Sequence, residues 1–403
     1  MRIGIDGGCL SNRRGFGRFA RQTLAALSAA GSPHEFVVFI DKPSADFVKI
    51  PERFERRVVE VAHAPSLAAS SQGRRSIADM FAMSRAVSRA RLDLMYFPAT
   101  YSFFPVWGVK RVVVTMHDTL ALTHPDLVFP SWQGRVAWTI KEHAAARWAD
   151  RIWTVSQTAK RDLTSWFKLP AERVRVISEG PEDVFHPRPL SLDSDNALRR
   201  FGIDPNQRFL LYVGGLSPHK NLPRLIEAFA RSGLASEGVK LILVGDTGDV
   251  FHTHVPALRK AVGHSLLEDK VIFTGFVPDE DLAFFYNRAI ALVQPSLMEG
   301  FGLPPVEAMA CGTPVLVSNA GSLPEIIGEA GLMFDPTDIP AMAATLRRVV
   351  DNPILRADLA VRALNRAADF TWTAAAHAML EGFDELDLDR QSLRPAPAWS
   401  KSA

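Results

Sequence analysis

A strand, a glycine-rich turn, a helix and a second strand follow one another around the segment Pro295-Ser-Leu-Met-Glu-Gly-Phe-Gly-Leu-Pro-Pro-Val-Glu-Ala-Met-Ala-Cys-Gly-Thr-Pro-Val-Leu-Val317. The apolar run 289–293 leads into it. We expect the helix to begin at Pro304 and Pro305, because proline at the first helical position loses no hydrogen bond and already has a helical φ. Short apolar strands joined through helices are typical of parallel sheets covered on both faces. The segment therefore predicts an α/β fold.

The same alternation continues over nearly the whole chain. The predicted strands are Arg2–Ile5, Phe36–Ile40, Arg57–Val61, Leu94–Phe97, Arg111–Met116, Ile152–Val155, Val174–Ile177, Phe209–Val213, Lys240–Val244, Val271–Thr274, Ala289–Val293 and Pro314–Val317. Amphipathic helical stretches separate them, which indicates two Rossmann-like, doubly wound domains. The polar, proline-rich segment 179–195 lacks periodicity, so we place the boundary there and predict domains 1–185 and 186–370. Because ligands bind beyond the carboxyl ends of such strands, two facing domains would share one cleft.

Two carboxylates, Glu299 and Glu307, flank the glycine-rich turn. Gly300 and Gly302 allow the backbone to approach a ligand closely, and the free amides at a helix start favour negative charge. Two carboxylates at this spacing could serve as general acid and base. Carboxylates beside an anion-binding backbone also suit a polyhydroxylated, phosphorylated ligand such as a nucleotide sugar.

Composition is that of an ordinary globular protein: 403 residues, 47% hydrophobic and 22% charged, long enough for two domains. Cys9 and Cys311 form no disulfide framework and indicate a reducing compartment. The N-terminus lacks the apolar core of a signal peptide, and no stretch has the length of a membrane span. We expect a cytoplasmic protein, and no nucleic-acid partner.

The charge is distributed unevenly. Residues 1–190 carry 27 Lys and Arg against 18 Asp and Glu, whereas residues 191–403 carry 19 against 26. A basic N-terminal half suits an anionic acceptor or the inner face of a membrane. The tryptophan-rich stretch Trp132 to Trp148 could touch such a surface. Alternatively, the charges are simply solvated and the helix packs on its sheet.

A second glycine turn follows the strand Phe209–Val213, in Gly214-Gly-Leu-Ser-Pro-His-Lys-Asn221. Backbone amides and a lysine at the start of a helix are what a diphosphate requires. Lys220 would neutralise the leaving group as the bond to the sugar breaks. A lysine beside a helix is, however, often only solvated.

Together the Gly214–Asn221 and Pro295–Ala308 segments resemble the retaining GT-B glycosyltransferases with a Glu-x7-Glu motif, a group that includes mannosyl-transferring enzymes. The resemblance implies two domains facing across a cleft, with a final helix (371–390) crossing back to the first domain. It implies that Glu299 contacts hydroxyls of the donor sugar and that Glu307 binds the ribose. The donor-binding residues it implies further are Gly214, Gly215, His219, Lys220, Gly300, Phe301, Gly302 and Leu303.

In the N-terminal half the resemblance adds two features. The predicted strand Arg111–Met116 ends at His117, which matches a family histidine that contacts the donor sugar near the reacting carbon. Asp118 would orient His117 or cap the next segment, and a core histidine satisfied by Asp118 is the alternative. The loop Gly15-Phe-Gly-Arg18 is similar to one lying beside donor and acceptor, which makes Gly15 and Gly17 donor-side candidates. Arg18 and Asp118 are the acceptor-side candidates.

One departure from the family concerns the phosphate. Many relatives carry an arginine beside the lysine, at positions that here hold Gly215 and His219. The diphosphate would therefore rest on Lys220 and backbone amides, helped by His219 or by an arginine of the first domain.

Metal and dinucleotide chemistry find little support in the sequence. The Asp-x-Asp pairs at 193–195 and 387–389 do not end core strands, no His/Cys cluster has metal-ligand spacing, and no Gly-x-Gly-x-x-Gly fingerprint is present. We expect no cofactor and no metal.

The resemblance thus implies transfer of a hexose to a glycan or lipid-diphosphate-linked acceptor. The phosphate loop resembles that of mannosyltransferases of bacterial polysaccharide assembly, which favours mannose from GDP-mannose. A nucleotide-sugar epimerase on the same fold and a non-catalytic nucleotide-sugar-binding module are the alternatives.

Overall fold

The first half of the chain forms a seven-stranded parallel sheet. The computed structural model describes residues 1–12, 15–63, 76–189, 191–246 and 255–388. The strands are β1 (Arg2–Asp6), β2 (Glu35–Asp41), β3 (Glu55–Val59), β4 (Leu94–Phe97), β5 (Arg111–Thr115), β6 (Arg151–Thr154) and β7 (Val174–Val176), in the order β3-β2-β1-β4-β5-β6-β7. The helices are α1 (Gly15–Ala30), α2 (Lys42–Ala45), α3 (Ile77–Ser88), α4 (Leu120–Thr123), α5 (Trp132–Trp148) and α6 (Gln157–Phe167).

The second half repeats this architecture with six parallel strands. They are β8 (Phe209–Val213), β9 (Lys240–Val244), β10 (Val271–Gly275), β11 (Ala291–Gln294), β12 (Val315–Ser318) and β13 (Gly331–Phe334), in the order β10-β9-β8-β11-β12-β13. The helices are α7 (Leu192–Arg200), α8 (Leu222–Arg231), α9 (Val255–His264), α10 (Asp279–Arg288), α11 (Leu303–Ala310), α12 (Leu323–Ile327), α13 (Ile339–Asp351), α14 (Pro353–Ala367) and α15 (Trp372–Leu388).

The strand order reverses at corresponding places in the two sheets. In the first sheet β1 lies between β2 and β4, and in the second β8 lies between β9 and β11. A crevice opens at such a switch point, beyond the carboxyl ends of the strands. Every residue of β8 and β11 is buried, as expected of strands covered by helices on both faces. The sequence and packing of the two sheets therefore define two Rossmann-like units.

The final helix, α15, returns to the first sheet. Met379 and Phe383 are fully buried among residues of that domain, and the Phe383 ring lies 4.9 Å from that of Trp153. A Cβ at Gly382 would lie 3.0 Å from the Trp153 ring, so glycine allows the close approach. The predicted fold, two doubly wound domains with a C-terminal helix crossing back, is confirmed. Residues 389–390 of the predicted helix lie outside the described residues.

The segment proposed as the domain boundary is partly helical, because α7 begins at Leu192 with a capping box formed by Ser191 and Ser194. Asp195 in this helix pairs with Arg288 of α10. The Asp195 side chain, in the first Asp-x-Asp pair, therefore joins two helices. Asp389, of the second Asp-x-Asp pair, lies outside the described residues.

Candidate active site

The Glu299 carboxylate lies at the carboxyl end of β11 in a dense set of donors. Its Oε1 accepts hydrogen bonds from Lys220 Nζ at 2.6 Å, Ser296 Oγ at 2.6 Å and Gln294 Nε2 at 2.8 Å. Burial favours the neutral acid, but the Lys220 charge and these donors outweigh it, so the pKa of Glu299 lies below its ordinary value. Glu299 is thus held ionised, with its other oxygen, Oε2, left for a ligand.

The backbone after Glu299 is held in an open turn. Gly302 has φ +110°, a conformation that favours glycine, and a Cβ there would lie 2.8 Å from Leu323 Cδ2. Ser322 Oγ lies 3.0 Å from the carbonyl oxygen of Glu299 and 2.6 Å from that of Phe301, and can donate to either. The side chains of Phe301 and Leu303 are buried in the core. Only their backbone is available to a ligand, as the prediction for this turn requires.

Glu307 is the fifth residue of α11 and is almost completely buried. Its Oε2 accepts from Tyr286 Oη at 2.8 Å, and its Oε1 pairs with the Arg18 guanidinium of the first domain. Burial raises the pKa of Glu307 despite the Arg18 charge. The two predicted hydroxyl-binding carboxylates therefore have opposite environments: Glu299 is paired within its domain, and Glu307 across the cleft.

Arg18 connects three carboxylates. Beside Glu307 it pairs with Asp279, the first residue of α10, and its Nε lies 3.3 Å from Glu182 Oε1. Burial alone would lower the pKa of Arg18, but these three charges raise it. The prediction placed Arg18 on the acceptor side, whereas in the structure its guanidinium lies against the predicted ribose site.

The phosphate turn is shaped by glycine. Gly214 has φ +148°, and a Cβ there would lie 2.8 Å from Tyr212 Oη, which itself donates to the Gly215 carbonyl at 2.6 Å. Asn221, in the left-handed region, donates from Nδ2 to the carbonyl oxygens of Pro295 and Pro336. These two hydrogen bonds of Asn221 fix the Lys220 turn against the Glu299 turn. No local sequence pattern predicts them.

His219 has a limited role in this arrangement. Its Nδ1 lies 3.2 Å from Ser217 Oγ, and its carbonyl accepts from Leu297 N at 2.8 Å. Burial, together with the Lys220 charge, lowers the pKa of His219 to about 3. The ring is neutral at physiological pH and offers a phosphate at most a hydrogen bond.

His117 follows β5 and faces the donor domain. Its Nε2 donates to the Pro98 carbonyl at 3.0 Å, and its Nδ1 lies 3.7 Å from Glu179 Oε1. Asp118 instead accepts from Leu120 N at 2.8 Å. Of the roles expected of Asp118, capping of the next segment is the one made by a hydrogen bond. Glu179, buried in the segment read as a linker, is the carboxylate that sequence reasoning missed.

The two domains meet directly at this point. A Cβ at Gly300 would overlap the carbonyl oxygen of His117, and Ser156 Oγ donates to the Gly300 carbonyl at 2.7 Å. Ser156 also caps α6. The Glu325 side chain lies in the first turn of α12 but accepts from the amides of Gln157 and Thr158 at the start of α6, both at 2.7 Å.

The glycines of the first loop have different surroundings. A Cβ at Gly17 would overlap the Asn12 carbonyl, so glycine lets α1 pack on the loop after β1. Gly15, at the exposed start of α1, has no neighbour within 4 Å of such a Cβ. Arg13 and Arg14, beside them, lie outside the described residues. Gly17 therefore has a packing role that is independent of any ligand.

Both halves of the chain match families of known proteins. Residues 14–180 match the glycosyl transferase 4-like domain, and residues 193–366 match glycosyl transferases group 1. The chain is 32% identical to the O-antigen chain mannosyltransferase B of Escherichia coli over 67% of its own length and 69% of that protein. The chain belongs to the group 1 glycosyltransferases.

Other matches agree with this family. The serotype-specific mannosyltransferase WbdA of Escherichia coli is 32% identical over 73% of this chain, which spans only 36% of that longer protein. A sucrose-phosphate synthase of Thermosynechococcus elongatus shares the fold, with a TM-score of 0.74 and 22% identity over 96% of this chain and 99% of that one. Family membership makes the protein a glycosyltransferase, rather than the epimerase or binding module considered as alternatives.

Proposed function

We propose that this glycosyltransferase moves a hexose, with retention of configuration, from a nucleotide diphosphate sugar to a hydroxyl of a glycan or lipid-diphosphate-linked acceptor. The observation that carries the proposal is the 2.6 Å contact between Lys220 Nζ and Glu299 Oε1 at the mouth of the Gly214–Gly215 turn. It brings a sugar-binding carboxylate and a cation for the leaving group to adjacent positions between the two switch points.

Each group has a distinct part in the reaction. Glu299 Oε2 accepts hydrogen bonds from donor-sugar hydroxyls, and the backbone of 300–302 lines the sugar. Glu307 holds the ribose hydroxyls, and Lys220 stabilises the charge that develops on the departing diphosphate, as preorganised electrostatics requires. His117 closes the sugar end from the first domain, held there by Pro98 and Glu179.

Retention is proposed from the resemblance to the retaining GT-B glycosyltransferases, and the surroundings of Glu299 support it. Glu299 is occupied on one oxygen by Lys220, Ser296 and Gln294, which suits a carboxylate that positions hydroxyls better than a covalent nucleophile. The departing phosphate oxygen would then take the acceptor's proton on the same face of the sugar as the bond that breaks. We propose that the reaction needs no metal; undiminished transfer in excess EDTA is the expected result, and a loss restored by magnesium would contradict it.

Mannose from GDP-mannose is the proposed donor, for assembly of a bacterial polysaccharide. Support comes from the form of the phosphate loop and from the similarity to two mannosyltransferases, one of which is named for O-antigen chains. The same likeness makes a growing glycan on a lipid diphosphate the proposed acceptor.

A peripheral membrane contact is proposed through α5. Trp132, Val136 and Ile140, spaced four residues apart on one helix face, are 71%, 46% and 64% exposed. Arg135 on the same helix adds positive charge to this part of the basic half. Within the described ranges, every helix is too short or too polar to span a bilayer. Sedimentation with anionic vesicles, absent with neutral ones and lost in Trp132→Ala/Ile140→Ala, would support this contact.

The function is tested by a thermal-shift panel of UDP-, GDP-, dTDP- and ADP-sugars. A ligand that binds only the native state raises its apparent stability, by about 2.7 kcal/mol at a hundred times its Kd. We expect GDP-mannose to give the largest shift. Transfer from that donor, with the product's anomeric configuration read by NMR, then tests retention. No shift with any nucleotide sugar would contradict the proposal.

A further inference from the structure

The donor site provides fewer cations for the diphosphate than its family pattern does. Lys220 lies in the phosphate turn of the donor domain, and its ammonium already pairs with Glu299. Arg224 of α8 donates to Asn221 Oδ1 at 2.9 Å on the helix side of this turn. His219 is neutral because burial lowers its pKa to about 3. A departing nucleoside diphosphate carries more charge than one shared ammonium neutralises.

The first turn of α1 lies beside the donor site, between the ends where the sugar and the ribose are expected. Phe16 packs its ring edge against His117, 4.9 Å between centroids, at the end where the sugar is expected. Two residues later, Arg18 reaches Glu307, where the ribose is expected. In a nucleotide sugar the diphosphate connects ribose to sugar, so it must pass between these two contacts.

The Arg18 guanidinium uses a different nitrogen for each of its partners. Nε faces Glu182, Nη2 bonds Asp279 and Nη1 bonds Glu307. Glu182 and Asp279 therefore fix the plane of the guanidinium independently of Glu307. If Glu307 is lost as a partner, Glu182 and Asp279 keep the guanidinium in place, and Nη1 alone becomes available to a ligand.

Both carboxylate oxygens of Glu307 already accept a hydrogen bond in this state, Oε2 from Tyr286 and Oε1 from Arg18. Glu307 is only 1% exposed. Ribose hydroxyls that bind the carboxylate therefore compete with one of these two donors for the space beside it. Tyr286 is fully buried on the same domain, whereas Arg18 belongs to the opposite side of a cleft that must admit the donor. Arg18 is the partner that can be exchanged.

On the basis of the proposed function, we propose that Arg18 is the second diphosphate-binding cation of the donor site. When the ribose binds Glu307, the Arg18 guanidinium exchanges Glu307 for the donor phosphate. The exchange replaces one charge-assisted hydrogen bond with another, because the phosphate nearest the ribose arrives together with the hydroxyls. Displacing Arg18 without a new anion would leave a guanidinium N–H unpaired in a largely buried place, which is costly. The structure thus assigns Arg18 to the donor.

The test measures, by calorimetric titration, how much the diphosphate adds to nucleoside affinity. Guanosine, GMP and GDP are titrated into the wild type, Arg18→Gln, Arg18→Lys and a surface control, Arg231→Gln, which removes an exposed arginine paired with Glu227 on α8. If the donor panel selects another base, its nucleoside series is used. Thermal unfolding without ligand checks that each variant is folded.

We expect Arg18→Gln to weaken GDP binding at least tenfold while guanosine binds as well as before or better, because Glu307 has lost its competitor. Arg18→Lys should bind GDP with intermediate affinity, because lysine keeps the charge but loses the planar guanidinium that Glu182 and Asp279 hold. Asp279→Asn, which leaves Arg18 in place but loosens it, should cost GDP affinity a few-fold. Arg231→Gln should match the wild type.

Two outcomes would overturn the assignment while leaving the function intact. Unchanged or tighter GDP binding in Arg18→Gln would mean that Arg18 only competes with the ribose. An equal loss for guanosine and GDP would mean that it only supports the fold. A wild type that binds none of the nucleotides would overturn the proposed function itself, and the Arg18 assignment with it.

Discussion

Glu299 and Glu307 belong to one turn–helix segment, yet the fold gives them opposite surroundings. Glu299 is paired with Lys220 of its own domain, and its pKa is lowered. Glu307 is paired with Arg18 of the other domain, and its pKa is raised by burial. The first pair lies within one domain, whereas the second joins the two domains. One end of the donor site is therefore preformed within the donor domain, and the other is completed by the first domain.

The largest expected effect is at the preformed end. Glu299→Ala removes the sugar-binding carboxylate and leaves Lys220 without its anion, so kcat should fall on the order of 10²–10³-fold. The control is Glu227→Ala, an exposed glutamate on α8. Transfer of radiolabelled sugar measures both. A kcat within twofold of the wild type would remove Glu299 from the reaction.

At the second end, Glu307→Gln should act on binding more than on chemistry. It removes a charged partner of both the ribose and Arg18, and hydrogen bonds to charged groups contribute about 1.5–3 kcal/mol. Donor KM should therefore rise about tenfold or more with kcat little changed. The radius of gyration of the empty protein, from small-angle scattering, should also increase as the cleft opens. A fall in kcat at unchanged KM would reverse the comparison between the two glutamates.

Closure itself is tested at Gly300. The added methyl of Gly300→Ala would overlap the His117 carbonyl, and overpacking of this kind costs about 1–3 kcal/mol. We expect kcat/KM to fall about tenfold through incomplete closure. Gly263→Ala in α9, where a Cβ would lie at an ordinary 3.6 Å from Glu268 Oε1, is the matched control and should leave the kinetics unchanged. Equal kinetics for both variants would show that the contact with His117 is not needed.

A third carboxylate shows what burial does where the structure describes no direct ion pair with a cation. Glu142 is buried on α5, accepts from Thr100 Oγ1 at 2.7 Å, and has its pKa raised by burial to about 7. A raised folded pKa means that its stability contribution is complete below about pH 4.5 and is lost as the pH rises towards 7. Glu142→Gln should therefore stabilise the protein at pH 8 by about 1–3 kcal/mol, with no gain at pH 4. Denaturant unfolding at both pH values measures this, and an equal effect at both would contradict it.

The pattern of the sequence was sufficient for most of the fold. Short buried strands separated by helices predict parallel sheets because each strand must be apolar on both faces, and the two switch points follow from that topology. β13, α13 and α14 are not among the elements that the sequence pattern predicts. β13 lies at the sheet edge, where only Phe334 of its four residues is buried, so its sequence lacks the continuous apolar run of the inner strands.

Local signals also found the turns of the site. Gly302 before Pro304, Gly214 after β8 and Ser156 before α6 are recognisable because each serves its own neighbours in the chain. Residues that act over long sequence separations gave no such signal. Glu179 faces His117, Asn221 connects two turns of the donor domain, and Glu325 caps a helix of the other domain.

The sequence by itself therefore determined the two glutamates, the lysine and the glycine turns, because spacing along one strand–turn–helix unit fixes which atoms are neighbours. Only the tertiary structure decided that Glu299 belongs to Lys220 and Glu307 to Arg18. Burial and charge pairing depend on which side chains the two domains bring together, and Arg18 and Glu307 are separated by most of the chain. The partner that each carboxylate has before a ligand binds is therefore decided by the assembled two-domain cleft.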